Sequence, residues 1–173
     1  AYERAADHLR AWKDYERVLA ALPDSAVALN NAAWLSTANI KWLDTELDAR
    51  NEEARRRIKR ALELAPDSEQ IHHTYAKILA ELEGPEAGLK ALEEAIRILE
   101  RRIASEIRTL DQREAQRSAT DRLARYMLDK AAFLVDLDRT EDARSIYLAL
   151  VEREPSGEVG KKAALALQGL ENP

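Results

Sequence analysis

Small and large apolar side chains recur along this chain at the three- and four-residue spacing of an α-helix. Four sets share this order: Ala11, Tyr15 and Val18; Ala54, Ile58 and Ala61; Gly88, Leu92 and Ala95; Ala143, Tyr147 and Leu150. Residues at this spacing fall on one helical face, where the small side chain lets a neighbouring helix approach and the large one fills the gap beside it. The pattern therefore predicts helices that pack against one another.

Proline-containing turns divide the pattern. Pro23, Pro66 and Pro155 each follow one of the sets, and Asp or Ser comes directly after each proline. Proline disfavours helix in the residue before it, while Asp or Ser caps the free amides of the next helix. Asp67 with Gln70 predicts a capping box. Together, these features predict eight helices, over residues 2–21, 25–48, 51–64, 68–82, 85–109, 113–137, 140–153 and 157–169.

The spacing between paired helices resembles that of the tetratricopeptide repeat family. The unit of that family is a helix-turn-helix of about 34 residues with a small residue in each helix and a closing proline. Ala76 precedes Gly88 by 12 residues, and Ala131 precedes Ala143 by the same number, as the family's turn requires. The resemblance implies an all-α fold: a right-handed α-solenoid of antiparallel helix pairs, with about eight helices.

We predict a single domain over residues 1–173. Its divisions are a half repeat at 1–22, repeats at 24–66, 67–110 and 113–155, and a capping helix at 157–169. Both Ala33 to Ala54 and Ala95 to Ala131 exceed the family's spacing. An apolar stripe continues through the second excess and predicts an extended helical hairpin there: Leu89, Leu92, Ile96, Leu99, Ile103, Ile107 and Leu110.

Two further features, Lys130 and the sides of the capping helix, test this register. Lys130 stands where the family has an apolar residue, so we expect its stem to pack while its charged end reaches water. The capping helix is expected to expose one set of residues and bury another: Glu158, Lys161 and Lys162 outside, and Ala164, Leu165 and Leu167 inside.

Composition narrows the function. Apolar residues make up 46% and charged residues 34%, with five Gly and five Pro, which favours long helices over disorder. The net charge of -5 is spread along the chain, so we expect no nucleic-acid or membrane partner. The lack of cysteine excludes disulfides and thiolate chemistry but leaves both cytoplasm and periplasm open, with the cytoplasm favoured. Because Ala1 already lies in a helical pattern, the sequence reads as a piece of a longer protein.

Residues with catalytic or metal-binding chemistry do not converge in the sequence. His72 and His73 point about 100° apart on a helix, so they do not share a metal, and we expect His72 to pack and His73 to lie at the surface. No nucleophile elbow or phosphate-binding loop occurs. The basic run 55–60 is predicted to form a solvated outer face. We therefore expect no enzymatic activity, no cofactor and no metal.

The resemblance implies a binding surface, because the first helix of each tetratricopeptide pair lines an inner groove. The positions concerned are Asn30, Asn31, Trp34, Gln70, His73, Thr74, Lys77, Arg125, Asp129 and Asp136. Polar amides, charges of both signs and one aromatic suit recognition of a protein or peptide segment through matched polar contacts. Trp34 is equally compatible with binding and with the core, whereas Trp12 and Trp42 are expected to pack. The set lacks the Lys/Asn/Arg clamp with which one subgroup holds a C-terminal carboxylate, so we expect no such ligand.

Two other functions remain open. The extended hairpin, around 103–119, could bury its apolar stripe against another copy of the chain or a further domain, which would make the protein an assembly module. A designed sequence without a natural partner is less favoured, because irregular insertions, the adjacent His72 and His73, and Lys130 are unlike an idealised design.

Overall fold

Eight α-helices make up the described part of the chain. The computed structural model describes residues 2–37, 47–105 and 110–171. Its helices are α1 (Tyr2–Ala21), α2 (Ala26–Thr37), α3 (Leu47–Leu64), α4 (Glu69–Glu83), α5 (Pro85–Ile103), α6 (Leu110–Asp136), α7 (Thr140–Arg153) and α8 (Glu158–Glu171). No strand occurs within these ranges. The prediction of an all-α chain with about eight helices is confirmed.

Each helix packs mainly on its neighbours in the sequence. Every consecutive pair from α1 to α8 is in contact, and the even-numbered helices α2 and α4, and α6 and α8, also touch. Side chains of α4 and α6 meet as well, through Glu69 with Arg122 and His73 with Asp129. The even-numbered helices therefore lie side by side, which is the contact order of a stacked array of helix pairs.

The predicted small positions lie at the closest helix contacts. Five of them are completely buried: Ala33, Ala54, Ala76, Ala131 and Ala143. Gly88 marks a close approach of α4 and α5, because a Cβ atom added there would lie 2.5 Å from the Cβ of Ala80 and 3.0 Å from the carbonyl oxygen of Ala76. The prediction that small side chains let neighbouring helices approach is confirmed at these sites.

Three apolar clusters follow one another along the array. The first is built around Ile58 and Ile78 between α2, α3 and α4. The second joins α4, α5 and α6 around Leu92 and Leu99, and the third joins α6, α7 and α8 around Leu134. The core is thus a row of interhelical contacts, each shared by successive helices.

Several helix boundaries in the structure differ from those predicted from the sequence. Of the second predicted helix, 25–48, residues 26–37 form α2 and residues 47–48 belong to α3, while residues 38–46, including Trp42, lie outside the described residues. Helix α3 already includes residues 47–50, which precede the predicted start at 51, and α6 includes residues 110–112, which precede the predicted start at 113. Helix α5 ends at Ile103, well before the predicted 109, and residues 106–109 of the predicted hairpin lie outside the described residues.

Two details of packing differ from the sequence predictions. The prediction of a capping box is wrong, because the N-cap of α4 is Ser68 and no side-chain hydrogen bond caps this helix. Leu165 was expected inside but is 71% exposed, because α8 is rotated so that Val159 and Ala163 face the core. Lys130 behaves as expected, since it is half-buried and its Nζ lies 3.8 Å from the Oε1 of Glu93.

Candidate partner-binding face

All ten predicted groove residues lie on the even-numbered helices α2, α4 and α6, with Gln70 at the very start of α4. We call the surface formed by the others the even-helix face; it comprises Asn30, Asn31, Trp34, His73, Thr74, Lys77, Arg125, Asp129 and Asp136. On α4, His73 and Lys77 are one turn apart and so share a helical face. The contacts that these two residues make link α4 to α2 on one side and to α6 on the other.

Trp34 joins α2 to α4. The Nζ atom of Lys77 lies 4.9 Å from the centroid of the Trp34 ring, which is the geometry of a cation–π contact. Trp34 remains 36% exposed. The sequence left binding and core equally open for this residue, and the structure places it at the surface with Lys77 against its ring.

His73 joins α4 to α6. Its Nε2 atom lies 2.6 Å from the Oδ2 of Asp129, and its ring stacks on Tyr126 with centroids 4.1 Å apart and planes 12° from parallel. His73 was expected at the surface, and it is partly buried there, because Tyr126 and Asp129 cover much of its ring. Sequence reasoning missed Tyr126, whose pKa is raised to about 12 by burial and, secondarily, by the negative charge of Glu69. The phenol is therefore neutral at physiological pH.

A cavity of about 370 Å³ opens beside this stack, between α4, α6 and α8. Its lining includes His73, Arg125, Asp129 and Tyr126, together with three residues of α8 that the sequence did not indicate: Glu158, Val159 and Lys162. The Nζ of Lys162 donates a hydrogen bond of 2.7 Å to Glu158, and this bond lowers the pKa of the Glu158 carboxyl group. Helix α8 therefore forms one wall of the cavity as well as ending the array.

The side-chain donors of Asn30, Asn31 and Thr74 are engaged within the protein. Asn30 donates from Nδ2 to the Oδ1 of Asn31, and Asn31 donates from Nδ2 to the hydroxyl oxygen of Tyr15, both at 3.1 Å. The Thr74 hydroxyl donates to the backbone carbonyl of Gln70 at 3.0 Å. Only the bond from Asn31 to Tyr15 joins two helices, α2 and α1. These donors are already engaged, so they offer less to a partner than the sequence suggested.

Gln70 lies apart from the other predicted site residues. It lines a separate cleft of about 440 Å³ at the start of α4, together with Pro66, Arg102 and Arg122. The sequence placed Gln70 on the same helical face as His73 and Lys77, but the cleft beside it belongs to the turn before α4. Of the ten predicted residues, Gln70 therefore lines this cleft, whereas His73, Arg125 and Asp129 line the cavity beside α8.

Two acidic residues of α6, Asp129 and Asp136, lie near Tyr147 of α7. Burial raises the pKa of Tyr147, and the negative charges of Asp136 and Asp129 raise it further. Both carboxylates therefore lie within electrostatic reach of the Tyr147 hydroxyl. Asp136 is exposed near the end of α6 and forms no ion pair with any described residue.

A buried carboxylate next to the face was not predicted. The Glu69 side chain is only 4% exposed, and its Oε2 lies 3.0 Å from the Nη1 of Arg102. Its Oε1 lies 2.9 Å from the Nε of Arg122, but the N–H of that nitrogen does not point at the oxygen, so this contact is ionic and not a hydrogen bond. Glu69 thereby links α4 to both α5 and α6.

The basic run 55–60 is an array of ion pairs. Arg57 is buried, with a side chain 10% exposed, and it pairs with Glu16 of α1 and with Glu53. Burial disfavours its charge, but the hydrogen bonds to Glu16 and Glu53 outweigh this effect and raise its pKa. The expected solvated face is therefore wrong at Arg57. Three other arginines also pair with carboxylates: Arg55 with Glu83, Arg56 with Glu53, and Arg60 with Asp24 and Glu63.

Within the described ranges, no cluster of three or more His, Asp or Glu side chains has a geometry that could hold a metal ion. None of the described helices combines the length and apolar character needed to cross a lipid bilayer. Comparison of the chain with models of known protein families and with curated protein sequences gave no match.

Proposed function

We propose that this chain is a non-catalytic scaffold that binds a peptide, or a segment of another protein, along the even-helix face. The observation that carries the proposal is the continuity of that face across three helices. Trp34 and Asp129 are 95 positions apart in the sequence, yet Trp34 contacts Lys77 and Asp129 contacts His73, one turn along the same helix. The resemblance to tetratricopeptide repeats, whose first helices line a groove, points to the same surface.

The chemistry of the face suits a polypeptide ligand. Trp34 offers a rigid, partly exposed aromatic surface, which is the type of residue that most often anchors protein interfaces. The cavity beside His73 and Arg125 provides a concavity next to charged groups. An extended or helical segment could place an apolar side chain against Trp34 and polar groups along α4 and α6.

Nucleic acid is a poorer candidate partner. The four arginines of the most basic stretch, 55–60, pair with carboxylates of their own helix, of α1, of α4 and of the turn before α2. Phosphate binding needs basic side chains that are free to release counterions on contact. The ion pairs therefore favour a structural role for these arginines.

Assembly through the extended hairpin gains no support from the described residues. At the start of α6, the residues from Asp111 to Ala115 are exposed and mostly polar. The exposed large apolar side chains of the described chain lie elsewhere: Val18, Leu22, Val27, Trp34, Leu47, Leu64, Leu148 and Leu165. Protein binding at the even-helix face thus remains our single proposed function.

Affinity capture from a lysate of the source organism tests this proposal. We expect the wild-type chain to retain a specific protein and Trp34→Ala to retain at least about tenfold less of it, because tryptophan truncation at an interface commonly costs 2 kcal/mol or more. Leu165→Ala is the matched control, since it removes an exposed apolar side chain from α8. Equal capture by all three proteins, each folded by circular dichroism, would refute binding at this face.

A further inference from the structure

The cavity between α4, α6 and α8 is lined by several charged residues, and one of them, Arg125, has no ion-pair partner among the described residues. Asp129 pairs with His73, Glu158 with Lys162, and Arg122 with Glu69. Arg125 also lines the cavity and is exposed, but it has no carboxylate within ion-pairing distance among the described residues. Glu158, an acidic neighbour within its electrostatic reach, is already hydrogen-bonded by Lys162. Among the residues that the structure describes, Arg125 is therefore a cation beside the cavity without an ion-pair partner of its own.

A second unpaired charge, of opposite sign, lies on the same side of α6. Asp136 follows Arg125 by eleven positions, which is close to three full helical turns and about 16 Å along the axis. Between them on this side lie Asp129, which is held by His73, and Ala132, which is exposed and short. The surface of α6 therefore presents a positive end and a negative end with no bulky side chain at Ala132.

We propose that Arg125 and Asp136 select a partner segment that runs along α6 and carries an acidic residue and a basic residue about 16 Å apart. The acidic residue meets Arg125, and the basic residue meets Asp136. In an extended segment this separation corresponds to about five residues. Charges of this kind contribute more to specificity and orientation than to overall affinity, because both remain partly in water. This inference rests on the proposed function and adds the charge pattern and direction of the ligand.

Selection from a random peptide library tests the inference without a known natural partner. Peptides long enough to span both charges are selected against the wild type, Arg125→Glu, Asp136→Arg and the double variant that exchanges the two charges. We expect the wild type to enrich peptides with an acidic and a basic residue in one fixed order, about five residues apart. The double variant should enrich the reverse order, because the rest of the face still sets the direction of the peptide.

Affinity measurements on one enriched peptide complete the test. Each single charge reversal should weaken its binding by about fivefold to tenfold, since an exposed ion pair is lost and a repulsion is added. Lys90→Glu and Asp7→Lys are matched controls, because both residues are exposed, lie on odd-numbered helices and have no ion pair with described residues. Neither control should change affinity or the selected order.

The outcomes separate the two proposals. Peptides that lose binding with Trp34→Ala but show no ordered charge pair, or keep their order in the double variant, would overturn the inference and leave the proposed function standing. Peptides that bind Trp34→Ala as tightly as the wild type would refute the proposed function, and so would the enrichment of no peptide at all. The inference would then fail with it.

Discussion

A single carboxylate, Glu69, connects three helices of this protein. Removing a carboxylate from water costs several kcal/mol unless other charges and hydrogen bonds compensate. Arg102 and Arg122, from α5 and α6, provide that compensation. Because both guanidinium groups are better exposed than the carboxylate, their own desolvation is incomplete. The arrangement therefore favours the folded state more than a fully buried ion pair would.

Glu69→Gln tests this role. The substitution keeps the size of the side chain but leaves two arginines facing a neutral amide, so we expect the free energy of unfolding to fall by about 2 kcal/mol in urea denaturation. Glu93→Gln is the matched control, because Glu93 is exposed and lies 3.8 Å from Lys130, and its loss should cost less than about 0.5 kcal/mol. Equal effects of the two substitutions would contradict a special contribution from Glu69.

Residue-scale contacts of this kind were the least predictable part of the site. Helical spacing correctly placed His73 and Asp129 on the helices of one face, but it carries no information on which residues of α4 and α6 stand opposite each other. The pairing of His73 with Asp129, its stacking on Tyr126 and the burial of Glu69 all depend on that alignment.

Element-scale packing followed from the sequence more directly. The separation of Ala76 from Gly88 depends only on local helix and turn geometry, so it predicted the close approach of α4 and α5. Gly84, with φ of 103°, forms the turn between these helices in a conformation that side chains rarely adopt. Helix ends were less predictable, because the apolar stripe of α5 continues in the sequence beyond Ile103, where the helix stops.

Gly88→Ala measures how tight that approach is. The added methyl group would lie 2.5 Å from the Cβ of Ala80, so α4 and α5 must separate. Overpacking of a core typically costs 1–3 kcal/mol, and the higher helix propensity of alanine returns about 1 kcal/mol, so we expect a net loss of about 1 kcal/mol in stability.

The matched substitution is Gly169→Ala in α8, where no atom lies within 4 Å of the added methyl group. Only the helix propensity changes there, and we expect a gain of up to about 1 kcal/mol. Opposite signs for the two variants in thermal unfolding would support the close helix contact. A stabilised Gly88→Ala would contradict it.

At the scale of the whole molecule, stability is distributed along the array. In the described part of the chain, helices contact their immediate neighbours and, in places, the next but one. Arrays of this type behave approximately as sums of local and nearest-neighbour terms, so their ends open more easily than their centre. Helix α1 packs on α2, Leu19 of α1 packs against the cluster that contains Ile58 of α3, and Glu16 forms an ion pair with Arg57 of α3.

Hydrogen exchange of Arg57→Ala tests that ion pair. Loss of the ion pair with Glu16 should lower the free energy of opening α1 by about 1 kcal/mol, because both groups are partly or fully withdrawn from water. That change corresponds to about fivefold faster exchange of the α1 amides. Exchange in α7 and α8 should stay the same, since neither helix contacts α1 or α3 in the described residues.

Arg56→Ala is a close control for this experiment. Arg56 shares Glu53 with Arg57, but its side chain is 70% exposed and it makes no ion pair with α1. Its removal should leave exchange in α1 within about twofold of the wild type, because an exposed ion pair within one helix contributes little. If Arg57→Ala accelerated exchange equally in all eight helices, the array would unfold as one cooperative unit. The description of the two ends of the array as opening independently would then be wrong. A ligand bound at the even-helix face would in that case stabilise α1 and α8 alike.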